Sequence, residues 1–354
     1  MSATFNLCNL PYLPMKNALQ NMSILDLTKI SKDSTKLQNF VKFERVKTGG
    51  LDVYMSEYSW NTKEAGTMSI CDVSENTSLD YRSNHQQLLK SWISSTEKIA
   101  QLFPTTLRTF QVTPPMIAAI LDLETAIPKT CDVLIIQNYV PAEMDRYQES
   151  VDQFMEKCHI REGVVLHHEV YTNSPKMFQL DYLSVTHSDW MVPSDLEEME
   201  NKIVYLDKSD FYDSDMNQFL RELKSGSSHS RLQILSIQGN SWQNYWDPSD
   251  VLEGLNAELW NQTERNQHYF LNAEHRKNFK KIADHFYPDQ EDGFGAELEH
   301  GVDLSEAFDF LKNDGTRVSV RFDELILQVF VWPNEKPSRK RKAQEQGSIA
   351  KRFC

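Results

Sequence analysis

FYDSDMNQFLRELKSGSSHSRLQILSIQGN, residues 211–240, sets a helix directly in front of a strand. DSDMNQFLRELKSG (213–226) reads as a helix that ends at Gly226, and LQILSIQGN (232–240) as the strand after it. The same alternation runs upstream. CDVLIIQ (131–137), GVVLHHEVY (163–171), LDYLSVTHS (180–188) and KIVYLDKSD (202–210) are strand candidates, with helical stretches at ESVDQFMEKC (149–158) and DLEEMEN (195–201). Strands rich in Val, Ile and Leu, parted by helical segments, argue for parallel βα units, because such a sheet is covered on both faces and its strands need no polar side. Leu-x-x-Leu-x-Ile-like strands recur, so an irregular leucine-rich-repeat-like stack is expected, with spacing too uneven for a regular solenoid.

Outward from this centre the pattern loosens. FVKFERVK (40–47) and LDVYMSEY (51–58) flank Gly49-Gly50 as a strand–turn–strand, and GTMSICDV (66–73) is a third strand candidate. Residues 81–103 carry Leu88, Leu89, Trp92, Ile93, Ile99 and Leu102 at helical spacing. TFQVT (109–113) reads as a short strand, and Pro114 and Pro115 open a helix over PPMIAAILDLETAI. Beyond residue 256 the chain is weakly patterned up to 304, with one helix candidate, HRKNFKKIADHF (275–286). FDFLKNDGTRVSVRFD (308–323) reads as a hairpin turning at Asp314-Gly315, and ELILQVFVW (324–332) as the final strand.

Composition narrows the classes. At 354 residues the chain can bury a substantial core, as one large domain with a small one or as two of medium size. No run of 18 apolar residues suggests a membrane span, and the N-terminus lacks the pattern of a secretory signal. The five cysteines (Cys8, Cys71, Cys131, Cys158 and Cys354) are scattered and form no C-x-x-C, as expected of reduced thiols in the cytoplasm, the nucleus or both. Net charge is −14, unevenly spread: residues 336–354 hold seven Lys or Arg against one acidic residue, a local +6 that leaves −20 on residues 1–335. The acidic body repels nucleic-acid phosphate and favours basic partner surfaces, so nucleic acid is expected to bind weakly at most, through the tail.

The opening stretch NLPYLPMKNALQNMSILDLTKIS (9–31) has a different character. Pro11 and Pro14 hold the entry extended or sit at a first helical turn. Met15, Leu19 and Met22 then recur at i, i+4 and i+7, and a second amphipathic segment follows Ser23 with Ile24, Leu25, Leu27 and Ile30. STKLQNFV is a weaker third. A helical hairpin this short buries too little surface to fold alone, so it packs on the rest of the chain or on a partner.

These residues resemble an F-box of the nematode-expanded families, in which Leu-Pro doublets, a helix, an acidic-Leu pair and a Ser-centred segment follow in order. Leu10-Pro11, Leu13-Pro14, Asp26-Leu27 and Ile30-Ser31 occupy those places, with Asp26 where Glu is frequent. Residues 211–240 are similar to the signature of the F-box-associated domain, type 2, through Met216, Asn217, Phe219, Leu220, Gly226, Leu232, Leu235 and Ile237, with Leu223 where Trp is frequent. DGTRVSVRF…FVW resembles that family's ending. The resemblance implies an α+β or α/β protein in four parts: an F-box over 5–45, an α/β region over 46–179, an F-box-associated domain over 180–332 and a disordered basic tail over 333–354. It implies a non-catalytic substrate receptor of an SCF-type cullin–RING ubiquitin ligase, with no cofactor. A small adaptor would dock on Leu10, Pro11, Leu13, Pro14, Met15, Leu19, Met22, Leu25, Leu27 and Ile30 and link the chain to a cullin, while the body holds a target protein. The other reading of the same hairpin is a cap on an interaction scaffold.

Enzyme signatures do not stand out. His167 and His168 are neighbours on a strand candidate and so point to opposite faces, one buried and one solvated. Cys158-His159 is poor geometry for a nucleophile and its base. No P-loop, nucleophile elbow or dinucleotide fingerprint is present. For the target, the loop GNSWQNYWDP (239–248) offers Trp242, Tyr245 and Trp246, either as anchors or as a cover for the sheet edge. Arg339, Lys340, Arg341 and Lys342 in PSRKRK fit a nuclear-import signal or a solubilising tail.

Overall fold

The computed structural model describes residues 11–20, 22, 27, 34, 35, 37, 39, 51–57, 66–72, 77–83, 107–122, 128–137, 144–240, 245–271, 298, 300–323 and 325–333. FVKFERVK and the helix candidate at 275–286 lie outside them. The chain divides into two compact units, Met1–Trp190 and Met191–Cys354. Among the described residues no helix is long and apolar enough to cross a membrane.

The first unit opens with α1 (Tyr12–Gln20), whose first turn closes through the Met15 amide on the Pro11 carbonyl at 3.0 Å. Met15 and Leu19, one turn apart, are buried, as are Leu27 and Leu37 further on. Three strands follow as an antiparallel meander: β1 (Leu51–Glu57), β2 (Gly66–Asp72) and β3 (Thr77–Ser83). The third corrects the sequence reading, which began a helix at Tyr81. Leu79 and Tyr81 alternate with polar residues, and full pairing with β2 from Gly66↔Ser83 to Asp72↔Thr77 draws the segment into the sheet.

From β4 (Leu107–Val112) the βα rhythm is regular. It runs through α2 (Pro114–Leu121), β5 (Thr130–Gln137), α3 (Met144–Lys157) and β6 (His159–His167), then a 3-10 turn at Pro175–Gln179 and β7 (Tyr182–Val185). The strand order in this unit is β7-β6-β5-β4-β1-β2-β3, with β4 to β7 parallel and each beside its predecessor. Val133 to Ile136 and Val164 to Leu166 are buried without alternation, as a sheet covered on both faces requires. One cover is the α2–α3 layer: Met116, Ile117 and Ile120 with Val151, Phe154 and Met155, where Phe154 stacks on Phe110 of β4 at 5.9 Å. Asp52 of β1 is clamped by the Arg108 guanidinium, at 3.0 and 2.6 Å, and by the Thr109 amide. β6 stops at His167 because His168 and Glu169 turn to positive φ, 53° and 42°.

The second unit holds α4 (Pro193–Glu198), β8 (Ile203–Ser209), α5 (Asp213–Ser225), β9 (Ile234–Gly239) and α6 (Pro248–Val251). β10 (Glu258–Leu259), β11 (His268–Tyr269), β12 (Val302–Asp303), β13 (Phe308–Leu311), β14 (Arg317–Asp323) and β15 (Ile326–Val331) complete it. Its sheet runs β10-β13-β14-β15-β9-β8, parallel only between β8 and β9, while β11 pairs with β12. The hairpin at Asp314-Gly315 forms as read. Gly315 takes φ +84°, and the Asp314 carboxylate accepts from the Thr316 amide at 2.8 Å.

A buried polar knot fixes the hairpin end of this sheet. Asp309 on β13 accepts from Arg265 Nε at 2.7 Å, Arg317 at 3.3 Å and Ser319 Oγ at 2.6 Å. Arg265 lies near the Trp260 and Trp332 rings, 5.7 and 5.2 Å from their centroids, and Trp332 Nε1 donates back to Ser319 Oγ. Three chain segments more than forty residues apart in part thus converge on one carboxylate, with Arg265 and Asp309 forty-four apart.

Candidate interaction surface

Helix α5 is built from both ends. The Tyr212 amide donates to the Asp215 carboxylate at 2.8 Å, satisfying an amide ahead of the first turn. At the other end Gly226, at φ +76°, donates to the Glu222 carbonyl, the left-handed residue that commonly closes a helix. Met216, Phe219, Leu220 and Leu223 form its buried stripe. Asn217 faces the α6 turn: its Nδ2 donates to the carbonyls of Val251 at 2.9 Å and Glu253 at 3.0 Å, and its Oδ1 accepts from Arg221 at 2.6 Å. Arg221 reaches the Glu253 carbonyl too, and Lys224 the Leu255 carbonyl, both short of 2.8 Å. The residues that carried the sequence signature of this helix are therefore its packing and its fastening.

Behind the helix, His229 is buried at φ +57°. Its Nδ1 donates to the Met199 carbonyl at 2.9 Å, its ring lies 4.4 Å from that of Phe219, and its Nε2 meets no partner. Burial lowers its pKa from the ordinary 6.5 and keeps the ring neutral.

The surface with binding character lies where β8 and β9 end. These parallel strands finish side by side, Ser209 paired with Gly239, and the loops leaving them are tied together. The Asn240 amide donates to the Ser209 carbonyl at 3.1 Å, and the Asp247 amide to the Asp213 carboxylate at 3.3 Å. Two tyrosines stand out of these loops, Tyr212 at 67% exposure and Tyr245 at 69%. Asp210, Asp213, Asp215, Asp247 and Asp250 share the same loops and helix starts. Burial raises the Asp213 carboxyl pKa, and the charges of Asp250 and Asp247 raise it further, so the loops concentrate negative charge. Carboxylates beside exposed phenol rings can accept hydrogen bonds from a cationic side chain and stack against it.

The structure sorts the residues singled out from the sequence. Of the proposed target anchors, Tyr245 points outward. Trp246 does not: it is only 8% exposed and donates from Nε1 to the Leu325 carbonyl at 2.9 Å, covering the sheet instead of offering an anchor. Trp242 lies outside the described residues. Tyr212, which carries the second exposed ring, has no signal in the sequence, because its position next to a helix start belongs to no apolar pattern.

In the hairpin, Met15, Leu19 and Leu27 are buried within the chain itself, whereas Pro11 and Pro14 are exposed and Met22 is half-buried. Leu13 belongs to α1, and Leu10, Leu25 and Ile30 lie outside the described residues, as do Arg339, Lys340, Arg341 and Lys342. His167 is buried and His168 exposed, and Cys158 is buried beside an exposed His159. Among the described residues no group of three or more His, Cys, Asp or Glu is placed to hold a metal ion.

Residues 173–237 match the F-box associated family. The match spans the 3-10 turn before β7, then β7, α4, β8 and α5, and it ends inside β9. No curated protein and no solved structure matches the chain.

Proposed function

We propose that this chain is a substrate-receptor subunit of an SCF-type cullin–RING ubiquitin ligase, of the nematode-expanded F-box kind. The observation that supports it most is the F-box-associated match at residues 173–237. In this reading the N-terminal hairpin docks on the ligase's small adaptor, which links it to the cullin, and the α/β body holds the target. The receptor performs no chemistry and needs no cofactor. It raises the effective concentration of target lysines near the conjugating enzyme. The basic tail serves nuclear import through Arg339 to Lys342, and the protein works in the cytoplasm, the nucleus or both.

Two observations bear on how each end would work. In this reading the buried Met15, Leu19 and Leu27 support the hairpin from within, and Leu10, Pro11, Leu13, Pro14, Met22, Leu25 and Ile30 make the adaptor contacts. At the body, the rings of Tyr212 and Tyr245 among five aspartates suit a target segment rich in Lys or Arg. One observation favours a second reading, an interaction scaffold whose hairpin only caps the fold: the hairpin's buried residues are already covered by the chain.

The test is affinity capture from the native cell type with three baits: wild type, Leu10→Ala/Pro11→Ala, and Tyr212→Ala/Tyr245→Ala. The receptor reading expects adaptor and cullin with wild type and with the tyrosine variant, and neither with the Leu-Pro variant. A set of further proteins should be lost with the tyrosine variant alone. If wild type captures neither adaptor nor cullin while remaining folded, the scaffold reading replaces it.

A further inference from the structure

Two cysteines that are scattered in the sequence meet in the fold. Cys131 sits at the start of β5, and Cys158 at the bend between α3 and β6. Both are fully buried and reduced, and their sulfurs lie 3.8 Å apart. The encounter follows from parallel pairing: Thr130 faces His159 and Cys131 faces Ile160, which brings the residue before β6 alongside the start of β5.

We propose that Cys131 and Cys158 form a reversible disulfide when the protein meets a peroxide, making this pair an oxidative modification site. Bonding requires the sulfurs to approach from 3.8 Å to about 2.0 Å. Both sides of that movement fall at irregularities. The β5–β6 register shifts between Cys131 and Val133, and Cys158 belongs to a bend outside the strand.

The surroundings assign the roles. Lys176 is fixed over the last turn of α3, donating to the carbonyls of Met155 at 3.0 Å and Glu156 at 2.6 Å. The hydrogen bond from Cys131 lowers the Cys158 pKa against the opposing effect of burial, and the Lys176 charge lowers it again, while the same hydrogen bond and burial hold Cys131 well above the ordinary thiol value. Lys176, anchored at the end of α3, favours Cys158 as the sulfur that gives up its proton and attacks one peroxide oxygen, breaking the O–O bond and releasing hydroxide, which is protonated to water. Cys131 then attacks the sulfur of the resulting sulfenic acid, a second water leaves, and the S–S bond forms. Two thiols and one hydrogen peroxide give one disulfide and two waters, each sulfur losing one electron.

The test uses the full chain with Cys8, Cys71 and Cys354 replaced by Ser, treated with hydrogen peroxide under native conditions, then unfolded and alkylated with N-ethylmaleimide. The expected result is an intact mass lower by about 2 Da with no maleimide added, and full restoration of both alkylation sites by dithiothreitol. Cys131→Ser in the same background should give oxygen adducts on Cys158 and no such loss. If that background does not fold, peptide mapping of the oxidised wild-type chain assigns the linkage directly. Two alkylated cysteines after peroxide, or a 131–158 linkage formed only once circular dichroism shows unfolding, would overturn the proposal.

Discussion

Replacing Asn217 by Asp exchanges one nitrogen for one oxygen and reverses the sign of two contacts. Asn217 Nδ2 donates to two carbonyls of the α6 turn, at 2.9 and 3.0 Å, while its Oδ1 takes the Arg221 guanidinium. Asn217→Ala removes all three bonds. A neutral hydrogen bond contributes about 0.5–1.5 kcal/mol net, and here only the Val251 carbonyl is half-screened from water, so the loss should be about 1–2 kcal/mol. Asn217→Asp keeps the Arg221 contact but sets a carboxylate oxygen against two carbonyl oxygens, of which that of Glu253 keeps Arg221 as a donor while that of Val251 loses this bond. It should cost about 1 kcal/mol more than the alanine variant, the reverse of what shape conservation suggests. In a chain region of this size each kcal/mol moves Tm by about 2–4 °C, so differential scanning calorimetry resolves the ordering. An Asn217→Asp variant as stable as Asn217→Ala, or more so, would falsify the fastening role. Loss of target capture by a normally stable Asn217→Ala variant would equally show the residue to be a binding contact.

Three further outcomes follow from other parts of the fold. Asp309→Asn leaves the Arg265 and Arg317 guanidinium groups without their shared carboxylate and should cost about 3–5 kcal/mol, read as a fall in the urea midpoint of unfolding. Gly163→Ala would place a Cβ 2.8 Å from the Tyr182 Cβ and 3.0 Å from its carbonyl oxygen. Both belong to the neighbouring strand and cannot swing away, so a loss of about 1–3 kcal/mol is expected in chemical denaturation. His229 is held neutral by burial, with its pKa below 6.5, so below that value the unfolded chain takes up a proton that the folded chain refuses. Its share of stability is therefore complete above about pH 6.5 and declines as the pH falls beneath it. His229→Asn, which tolerates the left-handed backbone there, should flatten the decline in Tm between about pH 7.5 and 5.5. An unchanged slope would remove His229 from the account.

What could be read in advance was what is local. The helix over 213–225 closes at Gly226 as its sequence says, and the continuous apolar runs of β5 and β6 announce strands covered on both faces. The Asp314-Gly315 hairpin carries its own turn chemistry. The misses are non-local. Residues 81–83 lack a strong pattern of their own and become strand because β2 offers seven paired positions. Cys131 and Cys158 read as unrelated thiols because only the parallel register of β5 and β6 brings them together. Asp309 looks like an ordinary strand aspartate until Arg265, Arg317 and Ser319 are seen to converge on it. Trp246 and Tyr245 are adjacent aromatics in one loop, and nothing in their order says that the indole will find the Leu325 carbonyl while the phenol stays in water.

That last pair bears on how much a family match can say about a target. Within residues 173–237 several side chains hold the scaffold together: Phe219 and Leu223 beneath the helix, Ile234 and Leu235 in the strand, and the half-buried Asn217 on its two carbonyls. Substituting any of these damages the scaffold before it alters what the scaffold holds. Tyr245 lies beyond the matched segment altogether, and Tyr212, though inside it, enters no described packing and is two-thirds exposed. The matched segment thus contains β8 and α5 and the start of β9, which position these loops, while the exposed side chains of Tyr212 and Tyr245 can be replaced with little effect on stability. If the β8–β9 end is the target surface, exchanging residues 241–245 for those of a protein that matches the same family, with Trp246 and Asp247 kept, should change which proteins are captured and leave Tm nearly unmoved. If capture follows the matched segment instead, recognition resides on the outer face of α5 or in the first unit, and the two tyrosines are incidental.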